Sequence, residues 1–185
     1  MKLAFIDVET GGLNPKKSAL LQIGCIIEID GEIEEELVYN IQPHMSDEVD
    51  PKALAVNNLT PQQIETFQKP FDVYTMFCGV MEQYVNKFDK TDKFHFVGYN
   101  SQAFDSPFIR EFFFKCKDKF YGSWFFHPTI DVMLLAAQSL IKTRHQMKDF
   151  KLSTVAQALG VEFDPTQLHD AMYDIKVTRE VYRRL

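Results

Sequence analysis

Apolar positions along this chain follow two periods in turn, and each change of period marks an element. Residues 3–8 form one short run, Leu3-Ala4-Phe5-Ile6 with Val8 after Asp7, and residues 20–29 form a second, rich in Leu and Ile. Runs of this length and composition read as strands. Asp30-Gly31 is a two-residue hairpin signal, and residues 33–41 return as a third strand. Its Glu34-Glu35-Glu36 predicts a solvated sheet edge, where charge discourages pairing with another sheet. A fourth strand is expected at 94–99 and a short fifth at 127–130.

Helical spacing fills the remainder. Pro51 suits the first turn of a short helix through residue 56, and Thr60-Pro61 has N-cap chemistry with proline at the first helical position. From Pro70 to residue 88, Val73, Phe77, Val80, Met81 and Tyr84 fall on one helical face. Helices are also predicted at 105–117, with Ile109, Phe112, Phe113 and Cys116 inward, at 131–141, at 152–159 before a stopping Gly160, and at 170–184. A three-strand meander followed by helices alternating with short strands is an α/β arrangement: a mixed five-stranded sheet flanked by helices. No linker or repeat interrupts it, so residues 1–185 are expected to form a single domain. Residues 143–150 are expected to be a mobile loop.

Composition narrows the classes. A hydrophobic fraction of 45% over 185 residues supports a sizeable core. A net charge of −6 is the opposite of the basic surface usual in nucleic-acid binders, so a polyanionic ligand would need a local feature, such as bound cations, to receive it. Cys25, Cys78 and Cys116 are odd in number and lack ligand spacing, which predicts reduced thiols and a cytoplasmic location. The apolar stretch before Asp7 is too short for a signal peptide and no run has transmembrane length, so no membrane association is expected. The 17 Phe are core residues by default, although Phe104 and Phe126 are candidates to meet a base.

Candidate chemistry begins at Asp7 and Glu9. Residues i and i+2 of a strand point to the same side, and these two acids stand where a strand meets Gly11-Gly12. Side by side they repel unless a cation lies between them, and a hard divalent ion such as Mg2+ or Mn2+ prefers their oxygens. The alternative is an ordinary solvated strand end. Asp105 follows the fourth strand and could equally cap the helix that it begins. Asp170 reads as a helix cap or a surface acid and Asp131 as structural. His169 lies five residues before Asp174, so the two would not share a face of one helix, which predicts that His169 sits in the loop ahead of it. Lys16, Lys17, Lys142, Arg144 and Lys148 are either phosphate contacts or solvated surface.

Taken together and in order, Asp7-Val8-Glu9-Thr10-Gly11, Asn100-Ser101-Gln102-Ala103-Phe104-Asp105 and His169-Asp170-Ala171-Met172-Tyr173-Asp174 resemble the three motifs of the DnaQ-like, DEDDh family of 3′→5′ exonucleases. Within it, Ala19-Leu20-Leu21-Gln22-Ile23, Phe126-His127-Pro128 and Phe163-Asp164-Pro165-Thr166-Gln167-Leu168-His169 are similar to the ribonuclease T branch. Three positions depart from it: Tyr99 replaces a histidine, and Leu13 and Val56 replace stacking aromatics.

The resemblance implies a ribonuclease H-like fold and hydrolysis of single-stranded DNA or RNA from the 3′ end, releasing nucleoside 5′-monophosphates. It further implies two Mg2+ ions, with Mn2+ able to substitute, held by Asp7, Glu9, Asp105 and Asp174, with Asp7 bridging and His169 accepting the proton of the attacking water. Thr10 and Gly11 are expected to face the terminal sugar through their N–H groups, Asn100 to bond near the scissile phosphate or brace its own loop, and Leu13 and Phe104 to pack on the terminal base. A homodimer is the partner implied by the ribonuclease T branch. Two other roles fit the same motifs. One is a proofreading subunit like the polymerase III epsilon chain, which would touch the polymerase through the folded surface, since no tail is expected after Leu185. The other is an inactive nucleic-acid-binding module.

Overall fold

In the computed structural model of the protein, residues 1–168 and 170–185 are described. Three antiparallel strands come first: β1 (Lys2–Thr10), β2 (Leu20–Ile29) and β3 (Glu32–Asn40). The β2–β3 turn has Asp30 and Gly31 both at positive φ, 51° and 99°, the backbone of a hairpin turn whose twist matches its strands. β4 (His95–Gly98) runs parallel to β1, and β5 (Ile130–Asp131) runs parallel to β4. The resulting order, β3-β2-β1-β4-β5, puts β1 in the centre and the glutamate-rich β3 at an edge, as its charge requires.

Among the described residues, seven α-helices surround the sheet: α1 (Pro51–Val56), α2 (Pro61–Glu65), α3 (Pro70–Met81), α4 (Asp105–Lys115), α5 (Val132–Ser139), α6 (Leu152–Ala158) and α7 (Ala171–Arg183). Alternation along β1 divides the core. Ala4, Ile6 and Val8 face a cluster built with α3 and α4, whereas Leu3 and Phe5 face one built with α5, α6 and α7. Asp7 and Glu9 continue the second face, so period two carries them towards α7. The phenylalanines mostly pack: Phe113 meets Tyr74, Phe77, Phe112 and Tyr121 edge-on, and is fully buried. A buried ring of this kind contributes about 1.5–3 kcal/mol.

Local chemistry moves some predicted boundaries. The helix begun by Pro70 ends at Met81 rather than 88, and separate turns carry Gln83, Tyr84 and Val85. α4 stops at Lys115 because Lys117 adopts φ 67° and Asp118 N donates back to Phe113 O at 2.9 Å, a helix-ending loop that normally recruits glycine. The fifth strand occupies Ile130–Asp131, with only Ile130 inside the predicted 127–130. Gly160, at φ 67°, ends the α6 segment as expected. No helix among the described residues is long and apolar enough to cross a membrane.

Candidate active site

Asp7 stands opposite Gly24, and Glu9 opposite Gln22, before the β1–β2 ladder slips between Glu9 and Thr10. Asp105 is the first residue of α4 rather than its cap, which is Phe104. It is 2% exposed, and its Oδ1 accepts a hydrogen bond from Val8 N at 3.1 Å. The start of α4 is thereby tied to the acidic end of β1. Asp174 lies in the first turn of α7. That helix is fixed further along by Glu28, whose buried carboxylate accepts from Arg179 at 2.6 Å and Arg183 at 3.1 Å, and by Lys176 with Glu36 at 2.6 Å. Asp170 is the N-cap of α7, accepting from Tyr173 N at 2.9 Å, in agreement with its reading as a cap. His169 lies outside the described residues.

Electrostatics link these acids to one another. Burial, followed by the charges of Asp105, Glu9, Asp174 and Asp170, holds the Asp7 carboxyl well above the ordinary range. Glu9 is raised to about 8, first by burial and then by Asp174, Asp105 and Asp170. Asp105 is pushed to about 7 by burial, against the lowering effect of its backbone hydrogen bonds. Asp7, Glu9, Asp105 and Asp174 offer carboxylate oxygens, the chemistry that suits a hard divalent cation. Among the described residues no group of three His, Cys, Asp or Glu side chains is arranged to hold an ion as it stands.

The expected substrate contacts divide. Gly11 does not turn its N–H to a ligand: it donates to Ala19 O at 2.8 Å, while Gly11 O accepts from Asp50 N at 2.7 Å. A Cβ on Gly11 would lie 3.3 Å from Val49 Cα, so the glycine admits the 48–50 segment. Thr10 is buried, its hydroxyl donates to Gly12 O at 2.7 Å, and its carbonyl receives Asn57 Nδ2 at 3.1 Å. Leu13, by contrast, is 86% exposed, and Val56 58%. Phe104 is half-buried, its ring 5.0 Å from that of Phe108, so it forms the rim of the α3–α4 cluster.

Asn100 sits at φ 62°, and its N–H donates to Asp131 Oδ1 at 3.0 Å. Asp131 also accepts from Gln102 N at 3.1 Å and Met133 N at 3.0 Å, so one carboxylate holds the loop between β4 and α4 and caps α5. Its structural reading agrees with this geometry, although the sequence did not show that it organises the Asn100 loop. Tyr99, the departure from the histidine, donates through its hydroxyl to Phe150 O at 2.6 Å and ties the 143–150 segment to β4. That segment contains a 3₁₀ turn at Arg144–Gln146, and Arg144 lies 4.3 Å from the Phe150 ring centre. Lys16, Lys17, Lys142, Arg144 and Lys148 are all exposed.

A mixed sheet in this order, with helices on both faces, is a ribonuclease H-like fold. The family model described as exonuclease, RNase_T, matches residues 4–182, and the chain belongs to that exonuclease family. It is 29% identical over 187 residues to ribonuclease T of Shewanella sp. (strain ANA-3), covering 96% of this chain and 78% of that one. It is 28% identical over 179 residues to the PolC-type DNA polymerase III of Thermotoga petrophila, where the match covers 97% of this chain but only 11% of the polymerase. Among solved structures, E. coli exonuclease I in complex with a dT13 oligonucleotide superposes with a TM-score of 0.78 at 20% identity, over 98% of this chain and 40% of that one. The expected fold and exonuclease family are both borne out.

Proposed function

We propose that residues 1–185 act as one metal-dependent 3′→5′ exonuclease domain on single-stranded DNA or RNA, releasing nucleoside 5′-monophosphates. The observation that carries this reading is the placement of Asp7 and Glu9 on the central strand, of Asp105 on α4 bonded to Val8 N, and of Asp174 in the first turn of α7, with Asp105 and Asp174 both raising the proton affinity of Asp7 and Glu9. Such a set is costly in an empty protein and becomes favourable once a cation takes the place of protons. The relatives support the substrate: ribonuclease T by name, and exonuclease I by its dT13 complex.

Asp7, Glu9, Asp105 and Asp174 would hold Mg2+, or Mn2+ in its place, as a pair of ions. Bound there, the ions would supply positive charge to the phosphate and leaving oxygen and acidify a water. Asp7 would be the central ligand of the set, since it lies on the central strand and Asp105, Glu9 and Asp174 all act on its carboxyl. Asp105 keeps one oxygen on Val8 N, which holds its carboxylate in a single orientation. His169, on the motif resemblance, takes the proton of the attacking water, a task matched to an imidazole pKa near ~6.5. Leu13, highly exposed, would be available to pack on the terminal base. The buried free thiols of Cys25, Cys78 and Cys116 suit a reducing, cytoplasmic compartment. The PolC-type relative supports a second use of the same activity, beside a polymerase.

The test is digestion of 5′-labelled single-stranded DNA and RNA of one sequence with Mg2+, Mn2+ or EDTA, with Asp7→Ala in parallel. A ladder shortening from the 3′ end, dependent on metal and absent in the variant, is expected. Digestion that persists in EDTA or in Asp7→Ala sinks the metal mechanism. Failure to shorten either strand while binding persists would favour an inactive binding module.

A further inference from the structure

Gly24 is fully enclosed beneath the first turn of α7, directly across the β1–β2 ladder from Asp7. A methyl group built on it would stand 2.8 Å from Ile175 Cδ1 and 3.1 Å from both the carbonyl carbon and the Cβ of Ala171. Its backbone does not need a glycine, since only Gly31 and Gly160 have positive φ among the described glycines. Glycine weakens the interior of a strand, so close approach of another backbone accounts for it here. Ala171 and Ile175 are themselves 0% and 1% exposed, and two of the three close contacts are with Ala171, one of them its backbone. Asp174 lies between them in sequence, on the turn that rests on Gly24. The later part of α7 is held by the pairs of Glu28 with Arg179 and Arg183. A side chain at position 24 would therefore lift the N-terminal turn while the remainder stayed anchored.

We propose that Gly24 is a positioning residue: its missing side chain sets how deeply the first turn of α7 seats on β1 and β2, and so the separation of Asp174 from Asp7 and Glu9. The inference rests on the metal-binding reading above and assigns Gly24 no contact with ion or substrate. It makes the paired positions 7 and 24 two halves of one device, the strand residue that carries the acid and the neighbour that admits the helix bearing its counterpart.

The experiment is calorimetric titration of the protein with Mn2+ alone, together with thermal melting, for the parent, Gly24→Ala, Ile175→Val, Gly24→Ala/Ile175→Val and Val181→Ala. Gly24→Ala is expected to weaken Mn2+ binding by roughly ten-fold, the scale of losing an outer support of metal ligands. Ile175→Val removes the Cδ1 atom that the new methyl meets, so the double variant should recover part of that loss. Val181→Ala, at the other end of α7, should lower the melting temperature without changing Mn2+ affinity. Parental affinity in Gly24→Ala overturns the proposal, as does an equal loss in Val181→Ala or a double variant no better than the single. Should Gly24→Ala not fold, the double variant compared with Ile175→Val decides: equal affinities overturn the proposal and weaker binding in the double variant supports it. A parent that takes up no Mn2+ overturns the metal reading itself, and this inference with it.

Discussion

Val8 N–H donates to Asp105 Oδ1 across 3.1 Å and 97 residues of sequence, joining the acidic end of the central strand to the helix that supplies the next acid. The bond gives Asp105 two separable properties, a backbone acceptor and a charge. Asp105→Asn retains an acceptor but not the charge, and should lower kcat at least ~100-fold while leaving the melting temperature near that of the parent. Asp105→Ala should lose activity equally and also cost about 1–3 kcal/mol, because the Val8 N–H is left buried without a partner. Melting curves of the two variants together with a nuclease assay check this. Equal stability of both would show that the bond contributes nothing.

The raised carboxyls make stability depend on pH in the metal-free protein. Glu9 moves from 4.5 to about 8, and Asp105 from 3.8 to about 7. A raised folded-state pKa contributes stability that is fully present below the unfolded pKa and is lost as pH rises through the folded value. In EDTA the melting temperature should therefore fall between pH 5 and pH 8. Mg2+ should restore it most at the alkaline end, where ions no longer compete with protons. A flat profile in EDTA, or no response to Mg2+ at pH 8, would refute the assignment.

Leu13 and Gly11 separate ligand contact from loop architecture. Leu13→Ala removes a highly exposed side chain, so the melting temperature should stay within about a degree while KM for single strands rises roughly five-fold, the scale of one modest base contact. Gly11→Ala, whose methyl meets Val49 Cα at 3.3 Å, should instead lose stability by ~1–3 kcal/mol. Unchanged KM in Leu13→Ala would remove it from the substrate site.

Asp131→Ala strands three backbone N–H groups, those of Asn100, Gln102 and Met133. Each bond to a charged acceptor is worth about 1.5–3 kcal/mol, and the three overlap, so a loss of about 3 kcal/mol is expected. Because Asn100 then loses its fixed position, activity should fall with it. Urea unfolding and steady-state kinetics on the same preparation measure both. A variant as stable as the parent would contradict this account of the loop.

Much of this protein could be read before any coordinates were seen. Strand period carried Asp7 and Glu9 to one side of β1, Asp30-Gly31 marked the hairpin, and the glutamates of β3 marked the edge, because these are properties of adjacent residues. Three short motifs in order were enough to point to the exonuclease family. Other features depend on segments distant in the chain and leave little local trace. Gly11 looked like an open N–H for a ligand until that N–H was seen to donate to Ala19 O, with the 48–50 segment packed against its Cα. Gly24 lies in a run marked only by its Leu and Ile content, and its contact with α7 forms between segments far apart in the chain. Asp131 gave no sign that it holds the loop of Asn100. The sequence by itself determined the exonuclease family, the candidate side chains for its chemistry and most of the elements that bear them. Only the tertiary structure decided how near the acids stand and what supports them, since packing between β1, β2, α4 and α7 is set by volumes and hydrogen bonds that meet only when the chain is folded.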